Sequence, residues 1–183
     1  MKNTTQIIKH LLLLLFVFIF TGCSDESPEE AINNGWAGEI KVNEILSRQE
    51  TDDGTVFLFT AQDVDESDRF PKVGYAVLTH QNNKDWEFNV SDMTTITGDS
   101  FSARHSALHY ETEEGNVKEM PVVFGYLKNE NTTAVTADVS DQEKEIEIEI
   151  ISTESGRYFY QVNAWGPIKF LNDNGEVIDR YGI

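Results

Sequence analysis

The chain has 183 residues, and its 32 Asp and Glu outnumber its 14 Lys and Arg to give a formal charge of −18 at pH 7. A surface this acidic is repelled by phosphate backbones and anionic head groups, which excludes a body that binds nucleic acid. Apolar residues make up 39% of the sequence and the charges are scattered rather than blocked, so an intrinsically disordered chain is excluded as well.

At the N-terminus, Lys2 and Lys9 lead into a run from Leu11 to Phe20 with no polar side chain, followed by Thr21, Gly22 and Cys23. A charged start, a short apolar stretch and small residues at a cleavage point are the layout of an export signal. Ten helical residues rise about 15 Å, roughly half of a hydrocarbon core, so cleavage is expected rather than spanning.

Cys23 is the only cysteine in the chain. The stretch Phe20-Thr21-Gly22-Cys23 resembles the lipobox of bacterial lipoproteins, with Phe20 standing where an aliphatic residue is usual. That resemblance implies a signal peptide over residues 1–22, a covalent diacylglycerol on the Cys23 sulfur, and an exported protein lipid-anchored to the outer face of the cell membrane. Two acyl chains hold a protein stably where one holds it marginally, each buried methylene adding about 0.8 kcal/mol. Acylation also uses the one thiol, leaving no disulfide, thiolate nucleophile or cysteine metal site. Loss of residues 1–22 removes two lysines and no acid, so the charge of −18 becomes −20.

Residues 23–35 are expected to form the lipidated tether and a short helix. Ser27, Pro28 and Glu30 make a capping box with proline at the first helical position, and Gly35 offers a stop two turns later.

From residue 36 the pattern changes to period two. The runs IKVNEILSRQ, TVFLFTAQ, VGYAVLTHQ and WEFNVSDM read as strands, with breaks at Asp52-Asp53-Gly54, in an acidic loop, and at Asn82-Asn83-Lys84-Asp85. A second series holds FSARHSALHYE, PVVFGYL, TTAVTADV, KEIEIEIIS, RYFYQVNAW, IKFLN and EVIDRY. Its breaks fall at Glu114-Gly115-Asn116, Asn129-Glu130-Asn131, Ser155-Gly156 and the tight-turn sequence Asp173-Asn174-Gly175. The clearest strand covers residues 145–150, with three isoleucines on one face and three glutamates on the other. Short connections imply antiparallel pairing. The expected fold is mainly β: a short N-terminal helix, a small antiparallel β module over residues 36–95, and a β-sandwich-like antiparallel module over residues 96–183.

Trp86-Glu87-Phe88, then PVVFGYLKNENTTAVTADV, then GRYFYQVNAWGPIKFLNDNGEVI together resemble the small lipoproteins exported by Bacillus-type bacteria. The resemblance implies the same order of helix, small sheet and sandwich, and the group carries no accepted biochemical activity to transfer.

Several constellations bear on chemistry. His105 and His109 are four apart, which on a helix makes a metal pair; in the alternating FSARHSALHYE they sit about 13 Å apart on a strand, too far to share an ion. Only an approach by His80 from a neighbouring strand rescues a zinc site, and with it the alternative of a metal-dependent hydrolase using His80, His105 and His109. The acidic run from Asp63 through Asp65 to Asp68 has the every-other-residue acid spacing of a calcium loop, but Asp68 stands where the loop glycine belongs and Gly74 where its closing glutamate belongs, leaving a low-affinity site in a calcium-stabilised adhesion module as a further alternative. No G-x-S-x-G elbow, P-loop or dinucleotide fingerprint occurs, and Ser106 alternates away from the histidines beside it, so no catalytic residues are assigned. In Arg157-Tyr158-Phe159-Tyr160, alternation sets both tyrosines on one face, as an exposed aromatic platform or as core packing of a sandwich.

The resulting expectation is a non-catalytic binding module, tied to the membrane through its lipid, that meets an envelope protein or cell-wall component. Its candidate contacts are Tyr158, Tyr160, Asp63, Asp65 and Asp68.

Overall fold

The computed structural model describes residues 26–52, 54–64, 70–81, 85–111, 117–139 and 144–182. The protein is mainly β, with one short helix and three antiparallel sheets of four strands each among the described residues. Helix α1 (Pro28–Gly35) begins at the expected capping box: Ser27 Oγ accepts from the Glu30 amide at 3.2 Å while the Ser27 amide donates to the Glu30 carboxylate at 3.1 Å. Among the described residues no helix is long and apolar enough to cross a membrane.

Sheet A is a meander of β1 (Ile40–Thr51), β2 (Gly54–Asp63), β3 (Lys72–Gln81) and β4 (Asp85–Thr95). Sheet B has the order β5 (Phe101–Glu111), β6 (Val117–Leu127), β10 (Gly156–Val162), β9 (Ile150–Thr153). Sheet C has the order β12 (Val177–Tyr181), β11 (Ala164–Leu171), β7 (Ala134–Val139), β8 (Glu145–Ile148).

The layers stack as α1, A, B and C, and alternation along each strand decides which interface a side chain enters. In β2, Phe57, Phe59 and Ala61 meet Ala31 and Ile32 of α1, whereas Val56 and Leu58 point into sheet B. In β6, Val122 and Phe124 join Val73, Tyr75 and Val77 of sheet A, whereas Val123 and Leu127 join Val135, Ile168 and Phe170 of sheet C. Sheet B is therefore covered on both faces. That explains why PVVFGYL reads as a continuous apolar run instead of an alternation.

Two runs expected as single strands are divided. Residues 145–150 break at Glu149, where β8 of sheet C ends and β9 of sheet B begins. Likewise Asn163, with a φ of 60°, turns β10 of sheet B into β11 of sheet C, its amide bonding the Pro121 carbonyl at 2.7 Å. Asn tolerates this left-handed conformation better than most residues. Between β11 and β12 the Asp173-Asn174-Gly175 turn is present, with Gly175 at a φ of 76°.

Candidate functional site

The residues singled out by sequence are dispersed. Tyr158 is 2% exposed, its hydroxyl donating to the Ser155 carbonyl at 3.1 Å. Tyr160 is half-buried against the same core, with its hydroxyl 3.1 Å from Ser47 Oγ of sheet A. Burial, before any other cause, pushes both phenols above the ordinary tyrosine range. Of the two alternatives for this face, exposed platform and core packing, the structure shows core packing: Tyr158 and Tyr160 share a face and sheet A covers it.

Asp63, half-buried at the end of β2, is held by Lys72 at 2.9 Å. Asp65 and Asp68 of the expected calcium loop lie outside the described residues, as does the expected lipidation site Cys23.

The histidines lie on strands, as alternation predicted, yet they do not converge. His80 faces away from sheet B and stacks on Trp86, ring centroids 3.6 Å apart. His105 and His109 share the opposite kind of environment, the sheet-C side of β5, with His109 Nε2 3.7 Å from a Glu119 oxygen. The anticipated approach of His80 is corrected, because β3 and β5 belong to different sheets and His80 occupies the face remote from sheet B. Among the described residues no group of three or more His, Cys, Asp or Glu is placed to hold a metal. Ser106 points toward sheet A with Leu108, away from both histidines.

What the structure does bring together is a different aromatic patch. The ladder between β7 and β11 is interrupted between Trp165 and Lys169, where β11 bulges through Gly166 and Pro167. There the His105 ring reaches out from sheet B to lie 5.3 Å from Trp165 and 5.8 Å from Tyr181. Two glycines leave it room: a Cβ on Gly166 would stand 3.3 Å from His105 Nδ1, and one on Gly182 would stand 3.6 Å from its Cε1. Trp165 is 39% exposed, and His105 is exposed beside it. Phe101 and Phe170, stacked at 4.2 Å, support the patch from beneath, with Tyr181 edge-on to Phe101.

The outer face of sheet C continues this surface with polar rows. Glu147, Thr136, Lys169 and Arg180 lie directly opposite one another across all four strands, and Glu145, Asp138 and Trp165 form the next row. Lys169 Nζ bonds Glu145 Oε2 at 2.6 Å, and the Thr136 hydroxyl donates to the other Glu145 oxygen. The Lys169 contact first, and Thr136 second, hold the Glu145 carboxyl below the ordinary glutamate range. Acids line the β8 edge and bases the β11 and β12 side, so the face carries both signs.

A cleft of about 420 Å³ opens elsewhere, at the far ends of β1 and β6, among Glu50, Asp52, Lys118, Glu119 and Asn163. Its Glu50 is already engaged by Thr55 and Arg48, and its Glu119 by His109.

Nothing in the local sequence connects Trp165 to His105 or Tyr181. The signal that was available is Trp165-Gly166-Pro167, an aromatic residue followed by two residues that interrupt a ladder. Comparison with protein-family models, with curated proteins and with solved structures returns no match.

Proposed function

We propose that this protein is a lipid-anchored cell-envelope module that binds without catalysis, held at the outer face of the membrane through Cys23 and offering sheet C to its partner. The reading is carried by one observation: the exposed rings of Trp165 and His105 lie on the sheet-C side, at the opposite end of the layer order from α1. Cys23 stands four residues before the helix cap Ser27, a reach of roughly 14 Å when extended, so the tether keeps α1 near the bilayer. Successive layers are about 10 Å apart, which sets the patch roughly 20–30 Å farther out. The excess of acid supports the same orientation, since the body gains nothing by lying flat on anionic head groups.

The ring patch has the composition of a contact surface. Trp and Tyr give large area at small cost in side-chain freedom, and the Asp138, Glu145 and Lys169 rows beside them supply hydrogen bonds. The general likeness to exported Bacillus-type lipoproteins is consistent with an envelope address.

Two measurements test this. Labelling of the expressed full chain with a fatty-acid analogue should mark the protein and be abolished in Cys23→Ser. Capture from detergent-solubilised envelope should recover a partner or wall fragment whose yield drops in Trp165→Ala. A protein that is never acylated loses its address, and capture equal in Trp165→Ala and the parent removes the patch from the reading.

A further inference from the structure

We infer that Asn174 is a self-modifying site of the folded protein: its carboxamide is lost by attack of the Gly175 amide, while the chemically identical pair Asn34-Gly35 is protected. The inference is independent of what sheet C binds.

Asparagine before glycine is suited to this reaction because glycine puts no Cβ in the way of its own nitrogen. The chain holds two such pairs, Asn34-Gly35 and Asn174-Gly175. In the reaction the Gly175 nitrogen bonds Asn174 Cγ, the Cγ–Nδ2 bond breaks, and ammonia leaves with the proton that the amide gave up. Water then opens the cyclic imide at one of its two carbonyls, giving aspartate or isoaspartate. Water in and ammonia out complete the balance.

The two pairs differ in how firmly the fold holds them. Asn34 Nδ2 donates to Glu26 Oε1 at 2.7 Å, and the Asn34 carbonyl accepts from the Ala37 amide at 2.9 Å. A Cβ on Gly35 would stand 2.3 Å from Phe88 Cγ, so the end of α1 lies directly on that ring. Asn33 Oδ1 accepts from the Val42 amide at 2.8 Å and Ile32 is fully buried, which ties the same turn of helix to sheet A. Closing a five-membered ring requires the Asn34 backbone to leave the helical range, and all of these contacts oppose it.

Asn174 is in the opposite condition. The exposed turn between β11 and β12 is bonded through Asn172, whose Oδ1 accepts from the Asn174 amide at 3.0 Å and the Glu176 amide at 2.9 Å. The Asn174 carboxamide itself makes no hydrogen bond among the described residues. Gly175, at a φ of 76°, has nothing within 4 Å of its Cβ direction. The attacking nitrogen donates to the Asn172 carbonyl at 2.9 Å, and this bond has to open first. Opening an exposed turn costs far less than lifting a helix from its sheet.

The product acts on β12. Isoaspartate adds a carbon to the main chain of a tight turn, which breaks the closure between Asn172 and Gly175 and loosens the strand that sets Tyr181 edge-on to Phe101. Aspartate keeps the main chain and adds a carboxylate between Asp173 and Glu176.

The test holds the folded full chain at mildly alkaline pH and follows both pairs by peptide mass mapping, with isoaspartyl methyltransferase labelling to count isoaspartate. Asn174 is expected to convert about tenfold or more faster than Asn34, the difference reflecting the opening free energies of turn and helix. In urea the two are expected to convert at similar rates, and Asn174→Gln should remove the isoaspartate label from the folded protein. Equal rates at Asn34 and Asn174 in the folded chain overturn the inference, as does a folded Asn174 that stays intact while the unfolded chain loses both amides. Protein bearing isoaspartate should melt below the Asn174→Asp variant; equal midpoints overturn the effect on β12.

Discussion

Tyr160 of β10 and Ser47 of β1 meet hydroxyl to hydroxyl at 3.1 Å, although 113 positions separate them in the chain. The contact crosses from sheet B to sheet A beside the edge of the shared core, and it fixes what Tyr160 does: it closes an interface. Tyr160→Phe is expected to cost about 1 kcal/mol, the net worth of one hydrogen bond, read from the urea midpoint. Tyr158→Ala is expected to cost about 3–5 kcal/mol, because it empties a large site between two sheets that cannot collapse together. A Tyr158→Ala protein as stable as its parent would contradict the burial of that ring.

Alkaline pH should unfold this protein from within. Tyr75, Tyr158 and Tyr160 all hold their protons to higher pH than an exposed tyrosine, in each case chiefly because burial disfavours the phenolate. In the unfolded chain they ionise near pH 10, so above that the unfolded state binds fewer protons than the folded one. The stabilisation is complete below about pH 10 and is lost as pH rises through the raised values. The slope is at most about 1.4 kcal/mol per pH unit for each proton retained. Denaturant midpoints measured from about pH 8 to about pH 11 should be level and then fall. Tyr75→Phe should flatten the fall, because it removes the phenol that burial holds protonated. A midpoint that stays level through about pH 11 would show these phenols to be solvated.

Gly125 should be irreplaceable for a reason of space. A Cβ there would stand 2.2 Å from the Ser102 carbonyl oxygen of β5 and 2.7 Å from the Phe159 ring of β10. One neighbour is backbone, so Gly125→Ala must push strands apart, and a loss of about 1–3 kcal/mol or more is expected. Gly98, with nothing within 4 Å of its Cβ direction, serves as the comparison, and Gly98→Ala should leave the thermal midpoint within a degree or two. Equal midpoints for the two variants would mean that β5, β6 and β10 are not packed as described.

Much of this architecture was legible residue by residue. The Ser27–Glu30 capping box set the start of α1, because a cap is made by atoms three residues apart. Turns at Ser155-Gly156 and Asp173-Asn174-Gly175 located the ends of β9 and β11 and the starts of β10 and β12 to within a few residues. The candidate patch was not legible. Trp165, His105 and Tyr181 come from three strands in two sheets, and no local pattern ties them together.

Sequence alone, then, determined which residues share a face within each extended run and that the chain is acidic with one cysteine. Alternation is a property of one extended backbone and needs no partner. Tertiary structure decided what covers each face. The pair Tyr158 and Tyr160 shares a side by alternation, but only the docking of sheet A turns that side into core. Likewise the crossings at Glu149 and Asn163 carry no proline or glycine to announce them, and they follow from strands that must leave one sheet to complete another. Burial is set by contacts distant in sequence, and the same distance explains why the exposed rings come into view only when the layers are stacked.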